Sequence, residues 1–243
     1  MRAAWIFVCA AACGGGASAG IDAPPGAFDA KVGGSCADPP AAETGDGTYY
    51  TTADGSGNCG FPATPNDLNV AAMNAVDYDD AAWCGACLDV TGPNGHVVVR
   101  VVDQCPGCNH GDLDLSPQAF QQLADLSAGR VTITWHEVPC DVTGPIEYEY
   151  KDGSNAYWSA IQIRNARYPI ATVESKDTSG TWSAIPRLDY NYFVDASGLG
   201  NGPYALRVTD QRGHVVEDDS VPFTGASTET PSASQFDACP NGS

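Results

Sequence analysis

The stretch Val102-Asp103-Gln104-Cys105-Pro106-Gly107-Cys108-Asn109-His110-Gly111-Asp112-Leu113-Asp114-Leu115-Ser116-Pro117 holds the densest set of groups able to do chemistry in this chain. Asp103 ends a β-branched run, Asp114 stands just before a Ser-Pro helix opening, and a Cys-x-x-Cys loop lies between them. A carboxylate pair is the minimum for cutting a glycosidic bond: one group protonates the leaving oxygen while the other activates water or attacks carbon. The same positions also suit a helix cap and a solvated strand end, and spacing alone leaves both readings open. Farther along, Tyr157-Trp158 and Tyr190 offer flat rings in a strand-rich half, where stacking on sugar faces competes with ordinary core packing.

Periodicity indicates the elements that must position these groups. Residues 96–102 and 131–138 read as strands, the second alternating Val131, Ile133 and Trp135 with Thr132, Thr134 and His136. Between them Ser116 caps a helix with Pro117 at its first position, and Ala119, Phe120, Leu123 and Ala124 form its apolar face until Gly129. After Pro139-Cys140, short strands at 160–164, 170–174, 204–209 and 215–219 recur between Gly-containing turns, the pattern of an antiparallel sandwich. A first domain thus spans residues 43–141 and a second 145–224, joined through Thr143-Gly144-Pro145, with a polar tail over 225–243 held by Cys239. Residues 20–42, rich in Ala, Pro, Gly and Asp, read as a flexible tether with little fold before Cys36.

Residues 1–19 have the order of a secretory signal: Arg2, an apolar run from Ala3 to Ala12 too short to span a bilayer, then Ala17-Ser18-Ala19. Cys13 before three glycines also resembles a lipoprotein attachment site, so free secretion and a lipid anchor both stay open. Thirty acidic against eleven basic residues give a net charge of -19, which repels nucleic acid, anionic lipid and polyanionic polymers and leaves neutral partners.

Ten cysteines less Cys9 and Cys13 leave eight beyond the signal, an even number that favours disulfides in an exported chain. Cys84-x-x-Cys87 and Cys105-x-x-Cys108 stand seventeen residues apart, a spacing that also matches a four-thiolate zinc site, although export argues against zinc. His96, His110, His136 and His214 lack any paired metal spacing and read as surface residues, so no metal or cofactor is expected.

Between Gly45 and Asp219 the sequence resembles the bacterial expansins and the wider expansin and loosenin group. The resemblance rests on Gly47-Thr48-Tyr49-Tyr50, Cys84-Gly85-Ala86-Cys87, Val102-Asp103, Leu113 to Phe120 and Gly129 to Trp135. The second half adds Tyr157 to Asn165 and Leu188 to Val194. It implies a mainly β protein: a six-stranded double-psi β-barrel related to family-45 endoglucanases, followed by an immunoglobulin-like, cellulose-binding β-sandwich.

By position, Asp114 resembles the family's essential groove aspartate, Asp103 its companion and Thr48 the hydroxyl facing them. Tyr157, Trp158 and Tyr190 resemble its cellulose-stacking line, while Tyr49 or Tyr50 could add a stacking surface. Cys105 stands where several bacterial members place a groove tyrosine, and Asp112-Leu113-Asp114 replaces the His-Phe-Asp of plant relatives. The resemblance also implies disulfides Cys59–Cys84, Cys87–Cys140 and Cys105–Cys108, leaving Cys36 and Cys239 to tie the tail to the first domain. In hydrolytic relatives a base aspartate ends the Thr-Tyr segment. Thr52 occupies that place, and Asp54 follows two residues on.

The expectation is a secreted, monomeric protein that binds cellulose or other neutral β-glucans and loosens walls without hydrolysis, with weak or no pectin binding. Alternatives are an endoglucanase or lytic transglycosylase of the related barrel group, and a non-catalytic carbohydrate-binding protein.

Overall fold

The computed structural model describes residues 30–33, 36–225 and 228–239. The signal expected over residues 1–19, Cys13 included, lies outside the described residues. Among the latter, no helix is long and apolar enough to cross a membrane.

Among the described residues, fifteen strands carry the fold. Strand β1 (Ala30–Gly33) is followed by β2 (Glu43–Tyr49), β3 (Val70–Asn74), the short helix α1 (Ala75–Tyr78), β4 (Cys87–Gly92), β5 (Gly95–Cys105) and β6 (Leu113–Leu115). Helix α2 (Pro117–Leu123) and β7 (Val131–Val138) complete the first half. The second half is all strand: β8 (Glu147–Tyr150), β9 (Ser159–Arg164), β10 (Ile170–Lys176), β11 (Trp182–Ile185), β12 (Phe193–Asp195), β13 (Tyr204–Asp210), β14 (Val215–Val221) and β15 (Glu229–Pro231).

Six strands close into a barrel in the order β2-β6-β3-β5-β4-β7, with β2–β6 and β3–β5 parallel and the other pairs antiparallel. Its interior is filled by Val70, Met73, Leu88, Val90, Val99, Leu113, Leu115, Ile133 and Trp135 with Phe120 and Leu123 of α2. Alternation along β7 sends Ile133 and Trp135 inward, and the same parity carries Glu137 into a buried position at the strand's end.

Helix α2 is shorter than its apolar pattern suggests. Ser116 caps it by accepting from the Ala119 N–H at 3.0 Å, but at Leu123 the carbonyl is taken by the Asn94 N–H at 2.9 Å from the β4–β5 turn. Ala124 turns extended, and a 3-10 turn over Leu126–Ala128 leads to Gly129. A tertiary hydrogen bond replaces the next helical one.

The second half is a sandwich of a five-stranded sheet, β1-β14-β13-β10-β11, and a four-stranded sheet, β12-β9-β8-β15. They enclose Tyr148, Tyr150, Ile161, Ile163, Val173, Leu206, Val208 and Phe236.

Two boundaries read from composition need correction. Within the expected tether of residues 20–42, β1 pairs antiparallel with β14, Ala30 opposite Asp218 and Gly33 opposite Val215. Four residues are too few to show a period, and the exposed edge of β14 supplies the template instead. Within the expected tail, β15 pairs with β8, Thr230 opposite Tyr148, and Phe236 is buried in the sandwich core. The sandwich therefore draws strands from both sides of the barrel in sequence.

The structure holds the disulfides Cys59–Cys84, Cys87–Cys140, Cys105–Cys108 and Cys36–Cys239. The four-thiolate alternative for Cys84, Cys87, Cys105 and Cys108 is thereby removed. Cys36–Cys239 does not tie the tail to the barrel: the adjoining Ala37 N–H donates to the Arg212 carbonyl at 2.8 Å, so the bond closes the sandwich on itself.

Candidate functional site

The barrel register gathers the candidate groove residues into one row. Thr48 of β2 pairs with Asp114 of β6, Asp114 pairs with Ala72 of β3, and Ala72 pairs in turn with Asp103 of β5. Residues opposite one another across strands project to the same side, so the three polar side chains line one rim. Two interstrand spacings separate the backbones of Asp103 and Asp114, about 10 Å. The Thr48 hydroxyl donates to Asp114 Oδ1 at 2.5 Å.

Asp103 is held from the loop before β3. Its Oδ1 accepts the N–H groups of Asn58 at 2.7 Å and Gln104 at 2.8 Å. That approach requires Gly57: a Cβ there would lie 2.4 Å from Asp103 Cβ and 2.6 Å from the Val102 carbonyl oxygen. The loop is anchored by the Cys59–Cys84 bond and by the Cys59 N–H donating to Val102 O at 3.0 Å.

Strand parity separates the two adjacent tyrosines. Tyr49 packs on Phe120, centroids 5.0 Å apart, and its hydroxyl donates to Leu126 O at 3.3 Å. Tyr50, two residues after Thr48, turns to the carboxylate side. Its hydroxyl is buried without a hydrogen-bond partner and its pKa is pushed up to about 12, chiefly by burial and then by the negative charges of Asp103, Asp114 and Asp54. Tyr50 thus stays a protonated donor among three carboxylates.

No carboxylate completes a hydrolytic pair from the Thr-Tyr segment. Thr52 is exposed in the turn after β2. Asp54 folds back on its own loop, where Oδ1 accepts the Ser56 N–H at 2.9 Å and hydroxyl at 2.6 Å. These bonds hold its carboxyl below the usual range.

In the sandwich, Asn155 and Trp158 close a tight turn, with N–H···O distances of 2.7 and 3.3 Å. Tyr157 at its tip is 82% exposed. A turn suspends strand alternation, so adjacency of the two rings does not force one into the core. Trp158, half-buried, stands two residues before Ala160, whose parity with Gln162 is opposite to the core-facing Ile161 and Ile163. Tyr190 is half-buried against Tyr192, centroids 5.8 Å apart, and Lys151 Nζ lies 4.7 Å from the Tyr192 ring and 5.5 Å from that of Tyr190. Trp182 lies at the other sheet under Lys176 Nζ and Arg207 Cζ, each 4.6 Å from its ring.

Several contacts around the candidate site carried no sequence signal. The Asn58 side chain donates to Asp189 O at 2.8 Å, and Gln162 and Asn191 donate to Cys59 O at 2.9 and 3.1 Å, seating the outer face of β9 on the groove loop. Asp112 is buried as an acceptor for the N–H groups of Asp46 at 2.8 Å and Asn109 at 3.0 Å, which shapes the turn into β6. His214, expected at the surface, is buried at 2% exposure against Asp210, because β14 brings it under the closing Cys36–Cys239 bridge.

Two cavities, of 430 and 780 Å³, lie on the seam between barrel and sandwich, and neither is lined by Thr48, Asp103 or Asp114.

Known proteins resemble this chain over most of its length. Expansin-YoaJ of Bacillus subtilis is 37% identical over 204 residues, covering 79% of this chain and 87% of that protein. Expansin-like protein 1 of Dictyostelium discoideum is 32% identical over 207 residues, covering 79% of this chain and 71% of its own. Crystal structures of the Clavibacter michiganensis expansin, one unliganded and one of a mutant in complex with cellohexaose, match with a TM-score of 0.75 at 36% identity. They cover 82% of this chain and all of theirs. A family model described as lytic transglycolase matches residues 42–135, the barrel. With these relatives and this barrel, the chain belongs to the expansin family.

Proposed function

We propose that this protein binds cellulose or a related neutral β-glucan and loosens wall polysaccharide without cutting it. The observation that carries this reading is the row Thr48–Asp114–Ala72–Asp103: it offers hydrogen-bonding groups to a glucan chain but little catalytic machinery. Asp103 has one oxygen committed to two backbone N–H groups, and the base position is Thr52. Loss of general-base assistance alone costs about 100- to 10,000-fold in rate. Binding energy from Asp114, Thr48 and Tyr50 is instead directed to separating one chain from its neighbours, while Tyr157, Trp158 and Tyr190 hold the protein on the polymer. The cellohexaose bound by the Clavibacter michiganensis relative supports a β-glucan as the ligand.

The protein acts as a secreted monomer, in keeping with the four disulfides among the described residues. Its charge of -19 makes binding to polygalacturonate weak and little changed between low and moderate salt.

A second reading, glycosidic cleavage, draws on the lytic transglycolase description of the barrel and on two carboxylates sharing one rim. Incubation with soluble mixed-linkage glucan and with peptidoglycan, beside creep of a heat-inactivated cellulosic wall, separates the two. Creep without new reducing ends or lytic products is expected. Sugar release at enzyme-like turnover would transfer the function to the second reading.

A further inference from the structure

Cys36 and Cys239 meet at a cluster apart from the row of Thr48, Asp114 and Asp103. Cys36 and Cys239 form a disulfide across 203 residues, and Nε2 of His214 lies 3.3 Å from Cys36 Sγ and 3.6 Å from Cys239 Sγ. On the other side of the ring, Nδ1 lies 2.8 Å from the Asp210 carboxylate. Asp210 is itself fixed by the N–H groups of Arg212 at 2.9 Å and His214 at 2.8 Å. The imidazole stacks on Tyr168 with centroids 5.7 Å apart, and both His214 and Asp210 are buried. An ionised carboxylate only accepts, so in neutral His214 the proton belongs on Nδ1 and Nε2 turns a lone pair to two sulfur atoms. A disulfide has no proton to give that lone pair.

We propose that Cys36, Cys239 and His214 become a binding site for a thiophilic divalent cation of the zinc type when the Cys36–Cys239 disulfide is reduced by a thiol. A dithiol supplies two electrons and two protons: the S–S bond breaks, both cysteines become thiols, and the reductant closes to its own disulfide. Cation binding then releases the two thiol protons and leaves two thiolates and a neutral imidazole as ligands.

The present geometry is close to what such an ion needs. Tetrahedral zinc, with Zn–S of about 2.3 Å and Zn–N of about 2.0 Å, sets S···N at about 3.5 Å and S···S at about 3.8 Å. The observed 3.3 and 3.6 Å already satisfy the first distance. Only the sulfurs must part, each by less than about 1 Å. The backbones that carry them are held independently of the bridge: Ala37 N–H donates to Arg212 O at 2.8 Å, Arg212 Nη1 donates to Ala37 O at 3.3 Å, and Cys239 N–H donates to the Tyr168 hydroxyl at 2.9 Å. Asp210 is the carboxylate that metal-bound histidines commonly have behind them, orienting the ring and raising its basicity. Cys36 is exposed, which leaves the fourth position to water. The cluster would keep the segments that carry Cys36 and Cys239 clamped in a reducing setting as the disulfide does in an oxidising one.

The test uses the full chain with Cys9→Ser, Cys13→Ser, Cys105→Ser and Cys108→Ser, which removes the cysteines of the N-terminal segment and the other partly exposed disulfide. A dithiol opens Cys36–Cys239, is removed under nitrogen, and alkylation mapped by mass spectrometry confirms that only this pair is free. Titration with Co²⁺ is expected to give one ion per chain with sulfur-to-cobalt charge-transfer absorption, displaced by one equivalent of Zn²⁺, and none in the oxidised protein. Asp210→Asn, which shifts the proton to Nε2, is expected to weaken binding about 10- to 100-fold. Cys36→Ser leaves the His214–Asp210 pair in place and should abolish the stoichiometric band, so the outcome does not depend on a folded Asp210 variant. Absence of one-to-one thiolate absorption in the reduced parent, or its persistence in Cys36→Ser, would overturn the proposal.

Discussion

The side-chain amide of Asn58 donates to the backbone carbonyl of Asp189 at 2.8 Å, while the Asn58 N–H donates to the Asp103 carboxylate at 2.7 Å. One residue thereby holds a groove carboxylate and the segment that leads into Tyr190. Tyr78 reinforces the join, its hydroxyl donating to the same Asp189 carbonyl at 2.9 Å. Polar contacts of this kind fix the Asp103 end of the barrel row against the segment that carries Tyr190.

Asn58→Ala removes the interdomain bond but keeps the N–H to Asp103. Unfolding free energy should fall by about 1 kcal/mol, read as a lower Tm. Filter-paper weakening should drop more than cellulose adsorption, because each surface survives and only their alignment loosens. Equal losses in both assays would show that Asn58 has no aligning role.

Asp114→Asn keeps the shape and an acceptor for Thr48 while removing the charge. Wall creep is expected to vanish, with cellulose pulldown unchanged and stability altered by less than about 0.5 kcal/mol. Wild-type creep in this variant would reduce Asp114 to a structural residue before α2.

Tyr157→Ala and Trp158→Ala each remove a ring whose stacking on a sugar is worth about 1 kcal/mol, a loss of about fivefold in adsorption to microcrystalline cellulose. The rings make no contact with another aromatic ring among the described residues, so the sandwich core should stay intact and Tm nearly constant. Undiminished adsorption in the double variant would place the cellulose contact on another face.

Glu137 and Arg212 meet at 2.9 Å across the barrel–sandwich seam. Burial pushes the Glu137 carboxyl up from 4.5 to about 7, against the opposing pull of Arg212. The folded state therefore holds this proton more tightly than the unfolded chain. The resulting stability is fully present below about pH 4.5 and is lost as pH rises through about 7, at a slope of at most about 1.4 kcal/mol per pH unit. Denaturant unfolding of Glu137→Gln at pH values across that window should show a flatter profile than the parent. Identical slopes would assign the pH response to other groups.

Much of this protein was legible along the chain because its physical causes are local. Alternation in β7, the Ser116-Pro117 helix start and the turn-punctuated second half each depend on near neighbours. The expansin resemblance likewise rested on contiguous segments. Where the cause was a distant partner, the residues were silent. Helix α2 stops at Leu123 because Asn94, from another hairpin, takes its carbonyl. Ala30–Gly33 and Glu229–Pro231 are strands only because β14 and β8 offer edges to them.

The sequence by itself determined which acids, hydroxyls and rings were available and that the cysteines suit oxidising surroundings, since residue type and number suffice for these; the reading of Thr52 in the place of a base came from the family resemblance. Only the tertiary structure decided that Thr48, Asp114 and Asp103 share one row through Ala72, that Tyr50 and not Tyr49 faces them, and that His214 is buried beneath Cys36–Cys239. Such relations arise from strand register and chain crossing between residues tens to hundreds apart, which no local period encodes.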